Sequence, residues 1–259
     1  MTYEDVLALP PFDIAHEEKQ ELLRAGLLQL TEHHRAHCAP YARMMETIGF
    51  SAADVRSVED IPFLPVRLFK EMELRSVAEE DVFKTMTSSG TTGQQVSRIF
   101  LDRRTATNQQ KTLVRIVSEW TGKSRMPMLI IDCPSVVKNR AMFSARGAGI
   151  LGFSIFGRKK LYALNDAMEL QLDDIRAFLA EHAGERILLF GFTFMVWQYF
   201  YHALRAAGER LDLSNAVLIH GGGWKKLAAD AVTPAAFRAA LCEVCGNIDV
   251  ADYYGMVEQ

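Results

Sequence analysis

An α/β fold, with mixed sheets covered by helices and an α-rich N-terminal extension, is predicted by three features of the chain. Short β-prone runs alternate with helical ones from Val82 onward, the pattern of a sheet packed under helices. Residues 1–80 read instead as helices and proline-punctuated coil. No internal repeat or low-complexity linker interrupts residues 81–259, which are expected to form one continuous region.

Asp13 to His37 is expected to be one amphipathic surface helix. Leu23, Leu27 and Leu30 recur at helical spacing, and Glu17, Glu18 and Glu21 load the first turns, where negative charge is favoured. Pro40 ends it, and a second short helix follows over Tyr41–Ile48. Ile61-Pro62-Phe63-Leu64-Pro65 must run extended, because proline fixes its own φ and restricts the residue before it. Strands are predicted at Val82–Thr87, Val96–Leu101, Met128–Asp132, Ile187–Phe190, Ala216–His220 and Ile248–Ala251. Helices are predicted at Thr105–Trp120, Ala167–His182, Thr193–Ala207 and Thr233–Val244.

Hydrophobic residues make up 49% of the 259, enough to fill a substantial core. The net charge of -3 offers no basic field, so nucleic acid is not an expected partner. Glu4 and Asp5 stand where a secretory signal would carry positive charge, which points to a cytoplasmic protein. The longest weakly polar run, Gly147 to Gly157, falls far short of the ~20 residues a membrane helix needs, and no span is expected. Cys38, Cys133, Cys242 and Cys245 are too sparse for a disulfide scaffold. Cys242 and Cys245 form a lone C-x-x-C in a helical stretch with no second ligand pair nearby, which favours a structural role over zinc or redox chemistry.

Three segments carry candidate chemistry. Ser88-Ser89-Gly90-Thr91-Thr92-Gly93 concentrates hydroxyls and glycines, which lets backbone N–H groups and neutral donors wrap phosphate oxygens. It joins two predicted strands and lacks the lysine of a Walker loop, with Gln94 and Gln95 in those places. A Ser/Gly surface turn satisfies the same residues. His220-Gly221-Gly222-Gly223-Trp224 follows an apolar strand, and three glycines there leave room for a flat ligand; a simple turn is the alternative. Asp252-Tyr253-Tyr254-Gly255-Met256-Val257-Glu258 supplies an aromatic, a glycine and a carboxylate, suited to stacking on a base, clearing space and holding Mg²⁺.

Together these segments resemble the adenylate-forming (ANL) enzymes, with Ser88 to Gly93 similar to [ST]-[ST]-G-T-[ST]-G and Tyr254 to Glu258 similar to Y-G-x-[ST]-E. The resemblance is nearer to the LuxE-type acyl-protein synthetases. It includes Ser97-Arg98-Ile99-Phe100-Leu101-Asp102, Pro127 to Asp132, His220 to Lys225, Tyr254 to Gln259 and the lead-in stretch Pro62 to Phe69. It implies an ANL-like N-terminal adenylation domain over 81–259, with ATP and Mg²⁺ as cofactors. Thr91 and Thr92, with Ser88, Ser89 and the amides of the loop from Gly90 to Gly93, would hold the β- and γ-phosphates. Gly221, Gly222 and Gly223 would lie along the adenine, Tyr254 beside Gly255 would stack on it, and Glu258 would bind the metal. The implied reaction is ATP-dependent activation of a carboxylic acid, a fatty acid in this branch, as an acyl-adenylate, followed by transfer to a protein cysteine thiol. An acyl-acceptor or reductase protein is the implied partner. An acyl-CoA ligase similar to phenylacetate-CoA ligase shares the adenylation half, and a non-catalytic nucleotide- or acyl-binding module is a further alternative.

Two positions depart from the wider pattern. Val257 stands where a hydroxyl residue is usual, and the lysine that commonly follows the phosphate loop is missing, with Arg98 a substitute. The family continues past the metal motif into a lid bearing a catalytic lysine, whereas this sequence stops at Gln259. The expectation is therefore an N-terminal portion of a longer enzyme, with none of the four cysteines as the acyl acceptor. The aromatic run Phe190 to Tyr201 and the glycine-rich Gly147 to Gly157 segment are candidates for an acyl pocket; core packing accounts equally well for the first, and a tight helix-to-strand passage is the alternative for the second. His33, His34 and His37 have no supporting metal ligand and read as a solvated helix face.

Overall fold

A computed structural model describes residues 2–88, 95–138 and 145–258. The chain divides into two compact units, Met1–Val117 with Gly255–Gln259, and Ser118–Tyr254.

In the first unit, α1 (Tyr3–Ala8), α2 (His16–His37), α3 (Ala39–Ile48) and the single turn α4 (Leu68–Glu71) lead to an antiparallel hairpin of β1 (Lys84–Thr87) and β2 (Arg98–Leu101). Helix α5 (Arg103–Thr121) follows. Thr2 opens α1 with a capping box shared with Asp5, which satisfies two helix-end donors reciprocally. Pro40 sits in the first turn of α3, where its missing N–H costs nothing, so it starts one helix as well as closing another. The hairpin is the strand–loop–strand arrangement expected from the sequence.

The second unit is a five-stranded sheet of order β4-β3-β5-β6-β7, every pair parallel. Its strands are β3 (Met126–Ile131), β4 (Gly157–Tyr162), β5 (Ile187–Phe192), β6 (Ala216–Gly221) and β7 (Asp249–Tyr253). β3 and β6 are buried at every position and β5 at all but the last. Strands covered on both faces are continuously apolar, and Met-Pro-Met-Leu-Ile-Ile and Ile-Leu-Leu-Phe-Gly-Phe have that character. Gly-Arg-Lys-Lys-Leu-Tyr and Asp-Val-Ala-Asp-Tyr carry charge and take the two edges.

One face of this sheet packs under α8 (Leu172–Glu181), a helical run over 193–207, and α11 (Pro234–Cys245), with Ile175, Phe178, Val196, Phe200, Leu204, Phe237 and Leu241 in a shared core. The 193–207 run holds three segments: α9 (Thr193–Met195), a π-helix (Val196–Tyr201) and α10 (His202–Ala207). Helix α7 (Ala145–Phe153), after the single turn α6 (Ser135–Lys138), sets Phe153 in a stack on Phe190 at 4.3 Å between centroids.

Several elements differ from expectation. β4 was absent from the predicted strands because its alternation is broken: Pro127 pairs with Arg158 but Met128 pairs with Lys160, leaving Lys159 in a bulge at φ 46°. Pro127, which has no N–H to give, falls at that register shift. α7 was hidden by Gly147, Gly149 and Gly152, which lower helix propensity. The helix expected from Ala167 begins at Leu172, because the Asn165 side chain accepts the N–H groups of Ala167 and Glu169 and holds a turn there, with Met168 at φ 67°.

Gly191 shows how closely β5 is approached, since a Cβ there would lie 2.9 Å from Ile131 Cβ and 3.0 Å from Val196 Cγ2. Gly191→Ala is expected to destabilise the protein by about 1–3 kcal/mol through overpacking, read as a lower urea midpoint with an unchanged slope.

Candidate active site at the carboxyl edge of the parallel sheet

From β3 the chain moves outward to β4, then crosses back past β3 to β5 and continues to β6 and β7. The connections leaving β3 and β5 therefore run to opposite sides, and open parallel sheets bind ligands at the carboxyl edge by such a switch point. Asp132 and Cys133 follow β3 at this edge, Phe192 and Thr193 end β5 and open α9, Gly221 to Gly223 end β6, and Tyr253 and Tyr254 end β7.

The three glycines have different reasons for being glycine. Gly221 pairs with Tyr253 in the β6–β7 ladder, and a Cβ on it would lie 2.3 Å from the Tyr253 carbonyl oxygen. Gly222 holds φ 78°, a conformation that favours glycine, and its Cβ direction meets the Phe192 ring at 2.8 Å. Among the described residues, no atom beyond its chain neighbours lies within 4 Å of Gly223 in that direction. Close packing accounts for the first two, and the third has no such neighbour among the described residues. Tyr254 leaves the same sheet edge and is 76% exposed.

A buried polar cluster lies beneath this loop. Thr193 Oγ1 is 3.0 Å from His220 Nδ1 and 3.3 Å from the Gly221 carbonyl oxygen. A carbonyl can only accept, so the single Thr193 proton goes to Gly221, and His220 must then carry its proton on Nδ1 and donate to Thr193. The His220 ring lies 4.6 Å from that of Phe237, and burial holds its pKa below the ordinary histidine value, opposed by the Asp252 carboxylate 3.8 Å from Nδ1. Next to it, the π-helix stacks Trp197 on Tyr201 at 4.6 Å, and Trp197 meets Trp224 edge-on at 5.4 Å. π-Helical turns occur often at functional sites.

After β3, Arg146 binds Asp132 through two bonds, Nε to Oδ2 at 2.9 Å and Nη2 to Oδ1 at 2.8 Å, while the Cys133 N–H also donates to Oδ1. Asp132 is 1% exposed, and a carboxylate so buried requires this pairing. The pair was not anticipated from the sequence. Its signal is an aspartate at the end of an apolar strand run, but the arginine lies 14 residues on inside a glycine-rich segment.

Of the sequence-expected residues, Gly221, Gly222, Gly223 and Tyr254 come together at this edge. Ser88, Gly255 and Glu258 belong to the first unit. Ser88 extends the hairpin, its N–H donating to the Ser97 carbonyl at 3.2 Å and its Oγ accepting the Ser97 N–H at 2.9 Å. Glu258 lies half-buried in a turn after β7. Ser89, Gly90, Thr91, Thr92 and Gly93 lie outside the described residues. Arg98, the substitute cation, is 55% exposed and 3.9 Å from Glu73.

The remaining polar candidates are engaged structurally. Cys245 is buried, which pushes its thiol up to about 12, and all four cysteines are free. His34 Nδ1 bonds Ser76 Oγ at 2.7 Å, and the His33 and His37 rings stack at 4.4 Å. Among the described residues no group of His, Cys, Asp and Glu is arranged to hold a metal, and no helix is long and apolar enough to cross a membrane.

Residues 2–259 match the family described as acyl-protein synthetase, LuxE. The chain belongs to this family. Two similar proteins extend the comparison. The long-chain-fatty-acid–luciferin-component ligase of Photorhabdus luminescens is 26% identical over 88 residues, 34% of this chain and 75% of that protein. The crystal structure of 2-hydroxyisobutyryl-CoA ligase, in the postadenylation state in complex with R3-HIB-AMP, is similar with a TM-score of 0.64 at 15% identity, covering 96% of this chain. The LuxE chain thus shares the fold of an adenylate-forming CoA ligase, and it spans about half of that ligase's length, 53%.

Arg146→Leu in this LuxE chain would leave Asp132 buried without its partner. A loss of about 3 kcal/mol in unfolding free energy is expected by urea titration, with part recovered in the Asp132→Asn, Arg146→Leu double variant, which removes the stranded charge.

Proposed function

We propose that this protein activates a fatty acid with ATP as an acyl-adenylate and passes the acyl group to a cysteine thiol of a protein. The observation that carries the reading is the family match over residues 2–259, together with the Ser88–Gly93 and Tyr254–Glu258 motifs. The fatty-acid assignment rests on the Photorhabdus relative, whose name specifies a long-chain fatty acid.

The residues fit the nucleotide. Gly223 and the exposed Tyr254, at one sheet edge, suit a flat base that stacks on an aromatic and runs along a backbone without side chains. Gly221 and Gly222 would shape that backbone. Thr91 and Thr92, with Ser89 and the amides of Gly90 and Gly93, would hold the β- and γ-phosphates. Ser88 spends its oxygen as an acceptor inside the hairpin, which leaves its proton for a phosphate oxygen. Glu258, following Gly255, would hold Mg²⁺ with its carboxylate, in keeping with an ion bound by one or two carboxylates beside substrate phosphates. When bound, Mg²⁺ neutralises phosphate charge.

In the reaction, a carboxylate oxygen attacks the α-phosphorus and the bond to pyrophosphate breaks. A thiolate of the acceptor then attacks the acyl carbonyl carbon and AMP leaves. The first step needs alignment and charge stabilisation more than a general base, which suits a site built from hydroxyls and amides. A second reading, transfer to CoA, is favoured by the fold shared with a CoA ligase.

ATP–pyrophosphate exchange by the full-length protein is expected to depend on added fatty acid. No exchange with any fatty or aromatic acid would overturn the adenylation reading, and thioester formation on adding CoA would decide for the second. Gly223→Ala tests the base site, since among the described residues no atom beyond the chain neighbours lies within 4 Å of a methyl group there. ATP affinity by calorimetry should fall about tenfold or more with an unchanged melting temperature, and unchanged affinity would remove the glycines from the adenine site.

A further inference from the structure

We infer that Thr193 is a positioning residue for the nucleotide, acting as a latch that joins the end of β5 to the loop after β6. The inference rests on the adenylation reading for its ligand but on separate observations for its geometry.

β5 and β6 run in register to their carboxyl ends, with Phe192 opposite Gly221. Beyond that point the ladder has no further rung, and the chain of β6 must turn through Gly222 at φ 78°. Phe192, the last residue of β5, and Thr193, the first of α9, hold the turn. The Phe192 ring closes on Gly222 where a Cβ would stand 2.8 Å away, and it also fills the Cβ direction of Gly149 in α7, at 3.0 Å. Thr193, 6% exposed, donates to the Gly221 carbonyl and accepts from His220 Nδ1. The hydroxyl therefore links two successive residues of β6 through opposite hydrogen-bonding roles, which no apolar side chain reproduces.

This matters because, among the described residues, no atom beyond its chain neighbours lies within 4 Å of Gly223 in its Cβ direction. Fixing such a glycine costs backbone entropy, and ordering it beforehand raises affinity without adding any contact to the ligand. Thr193 supplies that prior order from beneath. It is distinct from the groups assigned to touch the nucleotide, since its hydroxyl is directed to the protein backbone and to a buried ring.

The test compares Thr193→Val, which keeps the shape and removes the hydroxyl, with Thr193→Ser, which keeps the hydroxyl, both in the full-length protein. Calorimetry with ATP should show Thr193→Val weaker by about tenfold, the scale of one or two buried hydrogen bonds, and Thr193→Ser within about threefold of the parent. Fatty-acid affinity should change less than about twofold in both. Hydrogen–deuterium exchange over residues 220–224, measured without ligand, should speed up at least about fivefold in Thr193→Val and not in Thr193→Ser. Equal exchange in the parent and Thr193→Val, or equal loss of ATP affinity in both variants, would overturn the latch. Parent protein that binds no ATP would overturn the adenylation reading, while the exchange result still decides the latch.

Discussion

The two-sided burial of β3, β5 and β6 is the constraint on which the second unit depends. A strand with no wet face cannot stand at an edge or leave a side uncovered, so helices must lie on both faces and the polar strands must go outermost. Parallel pairing then requires a crossover after each strand, and every carboxyl end emerges at one edge. The polar groups of the candidate site, Asp132, Thr193, His220 and Asp252, are all found there. Chemistry gathers at that edge because the interior has no place for it.

Polar groups that do sit at the margin of this interior come in matched sets. Asp132 meets a two-pronged arginine and a backbone amide, and His220 meets a hydroxyl that is itself satisfied by a carbonyl. Such groups are costly unless partnered, and their partnering constrains where the loops between strands can run. The glycines at the same edge obey packing of the opposite kind. Gly191, Gly221 and Gly222 are small because neighbours press on them, whereas Gly223 has no such neighbour among the described residues. A triple glycine read as one motif thus contains two residues set by packing and one that packing among the described residues does not explain.

Much of the architecture was legible because burial writes itself into composition. The apolar runs at 128–132, 187–190 and 216–220 located the three central strands, and Thr233 announced α11 by capping it through the Ala236 N–H. What was lost had specific causes. A bulge scrambled the alternation of β4, glycines, of which Gly149 lies against the Phe192 ring, disguised α7, and an asparagine side chain delayed α8. In the site, Gly221 to Gly223 and Tyr254 stood out because unusual residues in a row are visible in one dimension. Thr193 and Arg146 did not, since a threonine after an apolar strand and an arginine among glycines acquire meaning only from partners far along the chain.

The bulge at Lys159 has a consequence for the molecule among its own kind. β4 is an open rim of a parallel sheet, and a straight apolar rim would invite a strand from a neighbouring chain. Here Arg158, Lys159 and Lys160 follow one another, with Arg158 and Lys159 paired to Glu185 and Glu181, and the backbone bends away at the middle residue. An incoming strand would have to strip water from these cations and match a broken register. The same irregularity that concealed β4 from sequence reading makes this rim a poor template for a further strand.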